Sequence, residues 1–515
     1  MEKAVFYQVY PQSFYDSNGD GIGDLPGLIS KLDYIASLGV NAIWLNPIFD
    51  SPFGDAGYDV RDYKLVSPRY GTNKDAKRLF DEAHKRGIHV ILDLVAGHTS
   101  AEHPWFKDSC QGETSQHANW YVWATNPPDD TFIKSPGARQ GSYLKNFFPF
   151  QPALNYGFGK PDPSKPWEKS PDSPDCMAVR EGMRDVMKFW LDMGCDGFRV
   201  DMASSLVKND PDRTGIKALW QDYHGWLDAN YPEAVLVSEW CNPQVAIPAG
   251  FNVDFLIHFG NQAYKHLILG RRGAVTIKPF FSVDGSGDIQ GFLNLYLPEY
   301  EKTKSLGFIA IPTANHDFIR PRSCGREIPD LKVMYTLLLT MPGVPFIYYG
   351  DEIGMRNLSD WPEKEGSKVR SSCRTPMQWN SETNAGFSTA SAQSLYLPID
   401  EDPDRPTVAD EEKNPDSLLN LTKQLIALRQ KNPSIGNLGG FKPLYAEKGK
   451  CPFVYLRSGG SDNFVIAVNP SCIPCACEVP LLGNSIPMIA SGMAVKGTKL
   501  VCGPKSYGVF KQNRP

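Results

Sequence analysis

A chain of 515 residues is longer than one hydrophobic core can fill, so two or three domains are expected. An apolar fraction of 41% allows ordinary globular packing, and a net charge of −5 gives no electrostatic reason to expect nucleic acid or an anionic membrane as partner. Met1–Tyr10 carries no basic stretch followed by an apolar one and no later run approaches about 18 apolar residues, so neither a secretory leader nor a membrane span is expected, and the cysteines read as reduced thiols in a cytoplasm.

Strand-like and helix-like segments alternate along most of the chain. Val5–Tyr10 is a β-branched and aromatic run, and Asp24–Leu38 follows with Leu25, Leu28, Leu32 and Ile35 at helical spacing. Val40–Leu45 is strand-like, Thr72–Arg86 is helical and stops at Gly87, and Ile88–Leu94 is a near-continuous apolar run, as a parallel strand covered on both faces should be. The period then breaks from Thr99 to Pro174, a stretch too long for a structureless loop and read as an inserted small domain. Alternation resumes with Met177–Met193 (helix), Gly197–Asp201 (strand), Gly215–Asn230 (helix) and Val235–Trp240 (strand), and later strands are predicted at Val253–Ile257, Phe308–Ile311 and Pro345–Tyr349. Eight strands in βα alternation favour a closed (β/α)8 barrel over an open doubly wound sheet. A helix at Ser417–Lys431 closes this part, and short strands such as Phe453–Leu456 and Asn463–Val468 predict a C-terminal β-sandwich. The expected division is a barrel from 1–98 and 175–437, an inserted domain from 99–174 and a sandwich from 438–515.

In such a barrel, working groups stand at the C-terminal ends of the strands. Asp93, Asp201 and Glu239 end apolar strands here, Asn315-His316-Asp317 follows the seventh, and His98 lies just beyond Asp93. One acid at a strand end is often only a cap for the next helix. Four of them, together with Arg199 and two histidines, are more than capping accounts for, and three convergent acids suit glycoside cleavage, in which one carboxylate attacks the anomeric carbon and one carboxyl protonates the leaving oxygen. Arg199, two residues before Asp201 on the same strand face, is expected to keep Asp201 ionised.

These segments resemble the α-amylase superfamily, glycoside hydrolase family 13. The resemblance rests on Asp93-Leu-Val-Ala-Gly-His98, Gly197-Phe-Arg-Val-Asp201, Val237-Ser-Glu239 and Asn315-His-Asp317, supported by Gly39–Pro47, Gln151–Asn155 and Gly343–Glu352, all in the family's order. It implies Asp201 as nucleophile, Glu239 as general acid/base and Asp317 as stabiliser of the oxocarbenium-like transition state. It also implies His98, Arg199 and His316 around the glycosyl ring, with Tyr58 and Asp59 of Gly57-Tyr-Asp59 as stacking platform and hydroxyl-binding carboxylate. Arg374-Thr-Pro-Met-Gln-Trp379 resembles the branch of oligo-1,6-glucosidases, α-glucosidases and trehalose synthases, where the matching arginine pairs with the acid matching Asp59 and closes the pocket behind one glucose. Departures are Gly97, where the family usually carries an Asn that binds a structural calcium in many amylases; Ala153, where oligo-1,6-glucosidases carry Asp; and Met202 after the nucleophile.

Asp16, Asn18, Asp20, Ile22 (through its carbonyl) and Asp24 alternate at a spacing of two around Gly21, the oxygen pattern of a calcium loop, although Gly27 stands where an EF-hand has Glu. Oligo-1,6-glucosidases carry a similar calcium or magnesium loop, and a structural calcium is therefore expected. Cys472, Cys475 and Cys477, with Cys451 and Cys502, lack paired zinc-ribbon spacing and read as packing thiols. The expectation is a retaining enzyme acting by double displacement on α-1,4 or α-1,6 bonds of small α-gluco-oligosaccharides, exo-acting, as a monomer or weak homo-oligomer. An endo-acting amylase would need an open path past Asp59 and Arg374. A transglucosylase or isomerase would differ only in what deacylates Asp201. A non-catalytic barrel would lack part of the acid set, which is complete here.

Overall fold

A computed structural model describes residues 1–270, 277–358, 362–366 and 368–512. Eight short parallel strands form the central sheet: β1 (Phe6–Val9), β2 (Ala42–Leu45), β3 (His89–Leu94), β4 (Gly197–Val200), β5 (Val235–Ser238), β6 (Val253–Phe255), β7 (Phe308–Ala310) and β8 (Phe346–Tyr348). Their order runs β7-β6-β5-β4-β3-β2-β1-β8. The ring is closed by a parallel bridge between Pro312 and Phe346 and by Val344 N–H donating to the Ile309 carbonyl at 3.0 Å. Nearly every strand residue is buried, because the inner faces fill the barrel and the outer faces lie under helices.

The outer layer contains α1 (Leu25–Ser30), α2 (Leu32–Ser37), α3 (Asn73–His84), α4 (Pro174–Met193), α5 (Thr214–Asn230), α6 (Ile289–Thr303), α7 (Ile328–Leu338) and α8 (Leu418–Lys431). Local chemistry sets their ends. Thr72 and Asp75 form a reciprocal capping box on α3, and Gly194, at φ 114°, ends α4 in the left-handed region that favours glycine. The single helix expected over Asp24–Leu38 is two. Lys31 leaves the helical region after the Ser30 hydroxyl bonds the Gly27 carbonyl, and its ammonium lies over the rings of Tyr15 and Trp379.

Between β3 and α4 the chain builds a three-stranded antiparallel sheet from Trp123–Ala124, Phe132–Lys134 and Ser142–Leu144. After α8 it forms β9 (Gly440–Tyr445), β10 (Phe453–Ser458), β11 (Phe464–Asn469), β12 (Cys475–Glu478), β13 (Ser485–Lys496) and β14 (Lys499–Gln512), one antiparallel sheet with β14 at its centre. Its register breaks between Ser491 and Met493, and a second small core of Val454, Val465, Leu500, Cys502 and Phe510 gathers on it. Cys475 lies opposite Cys502 in this sheet, and Cys477 and Cys502 are buried. No described helix is long and apolar enough to cross a membrane.

Candidate active site

The parallel register brings the acids together. Asp93 of β3 lies level with Arg199 of β4, which lies level with Val237 of β5. Side chains alternate along a strand, so Asp201 shares the inward face of Arg199, and Glu239 that of Val237, each one step higher. Two further rungs hold them there: Asp201 N–H donates to Leu94 at 3.0 Å and Glu239 N–H to Val200 at 3.1 Å. Met202 then turns with φ 44°, unusual for a side-chain-bearing residue, and aims its N–H at Glu239 Oε2, 3.1 Å away.

Arg199 is the hub. Only 1% of its side chain is exposed, and it reaches Asp93 at 2.8 Å, Asp201 at 3.1 Å and Glu239 at 2.8 Å. Asp93 is fully buried, and its other oxygen accepts from Trp44 Nε1 at 3.0 Å and Tyr58 Oη at 2.9 Å, so it anchors the arginine. Burial, and then the neighbouring Glu239 carboxylate, push the Asp201 carboxyl well above its usual range against the pull of Arg199. Glu239 is raised as well, chiefly by burial. Arg199 thus does not ionise Asp201 alone, as the sequence suggested, because it is shared with Glu239 at a shorter distance. Burial and neighbouring carboxylates push both carboxyls upward, and Arg199 pulls both back.

Asp317 differs. Burial opposes its ionisation, but His316 and the guanidinium groups of Arg370 and Arg374 hold it well below the usual carboxylate range. Burial pushes the His316 ring itself well below its usual pKa, and the two arginines each stand 3.2 Å from Asp317 Oδ1. His316 is fixed by Gln8 at Nδ1 (3.0 Å) and the Tyr58 hydroxyl at Nε2 (2.7 Å), with the Tyr58 and His316 rings stacked at 5.4 Å. His98 gives Nε2–H to the Tyr58 carbonyl at 3.0 Å and accepts from Asn146 at Nδ1 (2.8 Å), and burial lowers its pKa to about 4.

Asp201, Glu239, Asp317, Tyr58, His98 and His316 all line one cavity of about 620 Å³. Asp59 and Arg374 do not, and the expected pair between them is corrected. The Asp59 carboxylate folds into its own turn, accepting from Ser51 Oγ (3.0 Å) and the N–H groups of Gly54 (2.8 Å) and Asp55 (3.0 Å). Arg374 is buried behind the cavity wall on the His316 carbonyl (2.7 Å) and the Tyr10 hydroxyl (3.3 Å). The pair that borders the cavity is Arg370 with Asp55, at 2.9 Å, and Arg370 also reaches Asp317. Gln151 Nε2 donates to the other Asp55 oxygen at 3.0 Å.

A third residue that the sequence did not single out, after Asp55 and Arg370, is Asp254 of β6. It accepts from the Ser238 hydroxyl (2.6 Å) and from the N–H groups of Trp240 (3.1 Å), Cys241 (3.2 Å) and Asn242 (2.8 Å), holding the turn that follows Glu239, and burial lifts its pKa to about 7. Its only sequence signal is an acid inside an apolar strand.

The Asp16–Asp24 loop lies apart from this cavity. Asp16 and Asp24 are buried and Asn18 and Asp20 exposed. Asp16 accepts from Gly19 and Gly21 N–H groups at 2.8 Å, Asn18 from Asp20 N–H at 2.9 Å, and Asp20 from Ile22 N–H at 2.8 Å. Asp24 caps α1 through Gly27 N–H at 2.6 Å. The donor chemistry suits a hard cation, yet the three acids do not bring ligand oxygens within 4.8 Å of one another.

Comparison with known proteins gives the family and the fold. The family model described as alpha amylase, catalytic domain, matches residues 8–437. An oligo-1,6-glucosidase from Heyndrickxia coagulans is 32% identical over 94% of this chain and 95% of its own length. A trehalose synthase/amylase from Mycolicibacterium smegmatis is 33% identical over 86% of this chain and 79% of its own. Among solved structures, an isomaltulose synthase mutant from Erwinia rhapontici in complex with sucrose superposes with a TM-score of 0.84 at 25% identity, covering 100% of this chain and 99% of that one.

Proposed function

The chain belongs to the α-amylase family of glycoside hydrolases, and on that premise we propose that it is an exo-acting α-glucosidase for short gluco-oligosaccharides, retaining configuration through a glucosyl-Asp201 intermediate. The observation that carries this reading is the charged chain Asp55–Arg370–Asp317 along one wall of the cavity. Hydroxyls of a terminal glucose find a carboxylate and a guanidinium there, and the ion pair occupies the space that a further sugar would need. Glu239 supplies the proton to the leaving oxygen and takes it back from the incoming water, and the first-formed glucose is expected as the α anomer.

The test is hydrolysis of maltose, isomaltose and a maltoheptaoside blocked at its non-reducing end. The disaccharides should be cut and the blocked chain spared. Arg370→Ala should lower kcat/KM for the disaccharides about ten- to a hundredfold, the equivalent of one hydrogen bond to a charged group, mostly through KM. Cleavage of the blocked chain by the unaltered enzyme would turn the reading toward an endo-acting amylase.

One feature favours a second reading, glucosyl transfer. Phe147, Phe148 and Phe259 line the same cavity, and Phe147 is 56% exposed. Aromatic faces there would retain the departing sugar, whose hydroxyl could then compete with water for the intermediate. Isomerised disaccharide in place of free glucose is its readout, with maltose and sucrose as substrates.

We place a structural calcium in the Asp16–Asp24 loop as part of the same proposal. Binding requires Asn18 and Asp20 to swing inward toward Asp16 and Asp24, with the Ile22 carbonyl completing the set. At calcium a hundredfold above Kd, linkage would add about 2.7 kcal/mol to stability. Thermal denaturation should show Tm rising with calcium and falling with chelator, and both responses should vanish in Asp20→Ala. An identical response in that variant places the ion elsewhere.

A further inference from the structure

The opposite end of the barrel carries a cluster that the glycosidase site leaves unused. His84 is the last residue of α3, His89 the first of β3, and Asp196 stands immediately before β4. The three meet at the N-terminal mouth of the strands, whereas Asp201, Glu239 and Asp317 follow the C-terminal ends. His84 Nε2 lies 2.8 Å from Asp196 Oδ2 and His89 Nδ1 lies 2.9 Å from Asp196 Oδ1. Together these are the one set of three His, Cys, Asp or Glu ligand atoms among the described residues that lie within 4.8 Å of one another.

We propose that His84, His89 and Asp196 form a surface binding site for a divalent transition-metal ion of the zinc type. Two imidazoles and one carboxylate are the donors that such ions prefer, whereas calcium and magnesium demand more oxygens than the site offers. Ligand–metal bonds of about 2.0–2.2 Å in a tetrahedron put neighbouring donor atoms about 3.3 Å apart; one donor atom from each of the three already lies within 4.8 Å of the others, so the two rings need only close on a shared carboxylate oxygen. The histidine side chains are 39% and 65% exposed and free to make that adjustment. Each ring would turn a lone pair to the ion in place of its N–H, the proton passing to the other ring nitrogen. Three protein ligands leave the fourth position to water.

The carboxylate is already oriented as a ligand. Asp196 Oδ2 accepts from Val90 N–H at 2.7 Å. Its backbone is tied on both sides, Asp196 N–H donating to Val90 at 2.8 Å and its carbonyl accepting from Val235 N–H at 3.0 Å. A buried or half-buried carboxylate held by an outer hydrogen bond is the usual support of a metal ligand. Occupied, the site would clamp the end of α3 to the starts of β3 and β4 and stabilise the barrel from below, apart from bond cleavage at its top.

The test uses the untagged full chain, stripped of metal, titrated with Zn2+ by calorimetry and with Co2+ by visible absorption. One site is expected. Its cobalt spectrum should lack the near-ultraviolet thiolate charge-transfer band that binding to the exposed thiols Cys324 and Cys472 would give. Since loss of even an outer-shell partner costs about 10–100-fold in affinity, His84→Ala should raise the Kd at least about tenfold. The His84→Ala/His89→Ala pair should abolish the site and the Zn2+-induced rise in Tm, with glycosidase activity kept. Asp196→Asn, which keeps the hydrogen bond to Val90, should act likewise if it folds. Unchanged stoichiometry and Tm response in the double histidine variant, or no binding by the unaltered chain, would overturn the proposal.

Discussion

Glu239→Gln and Asp201→Ala are each expected to abolish hydrolysis of natural disaccharides while leaving the protein folded. The two should fail in different ways. Removing a general acid costs about 10²–10⁴-fold, but only to the extent that the leaving group needs a proton. An aryl α-glucoside with an acidic phenol leaves without one, so Glu239→Gln should recover much of the glycosylation step on that substrate and stall at the intermediate, for which it also lacks its base. Asp201→Ala removes the group proposed to form the bond, and no leaving group repairs that. Stability should change little in either, because Arg199 keeps Asp93 and one of the two upper acids as partners. Steady-state and burst kinetics on both substrate types, beside circular dichroism, make the measurement. If both variants kept more than about 1% of activity on maltose, less than the smallest loss expected for a general acid, the assignment would be wrong.

These carboxylates were legible because each interrupts or ends an apolar run, where packing gives an acid no reason to stand. The eight strands were legible for the same reason, since a strand covered on both faces is a run of Val, Ile and Leu. What the sequence concealed lay where two equivalent residues sit one helical turn apart. Asp55 and Asp59 flank the same Gly57-Tyr58, and Arg370 and Arg374 are likewise separated by four. Only folding decides that Asp59 turns into its own loop while Asp55 meets Arg370, because the choice depends on Gln151 and Asp317, distant in sequence, as well as on the nearby Ser51. Two outer helices were missed on physical grounds. α6 carries Pro298 in its interior, and α7 is buried on nearly every side from Leu331 to Leu338, leaving no polar face to mark a period.

The largest effect on stability and chemistry together is expected from Arg199→Met. The arginine is buried with three carboxylates around it, and removing one partner of a buried ion pair typically costs about 3–5 kcal/mol because the others remain uncompensated. The protein can limit this cost by protonating them. Without the cation, Asp201 and Glu239 should both titrate at higher pH than in the unaltered enzyme, since Arg199 is a group that lowers each. The proposed double displacement needs Asp201 ionised, so the acid limb of the kcat/KM profile should move to higher pH and the maximum should fall. The sign for stability follows from the same linkage: carboxyls whose folded pKa is raised above the unfolded value stabilise below that unfolded value and lose this contribution as pH climbs through the folded one. Arg199→Met should therefore lie nearest to the parent in Tm at acid pH and drop away from it toward neutrality. Arg199→Lys separates charge from geometry, because one ammonium cannot serve Asp93, Asp201 and Glu239 with the guanidinium's planar fork. It should restore part of the Tm and little of the rate. A variant that kept the parent's acid limb and its Tm at neutral pH would mean that Arg199 neither sets the ionisation of the pair nor balances the buried acids.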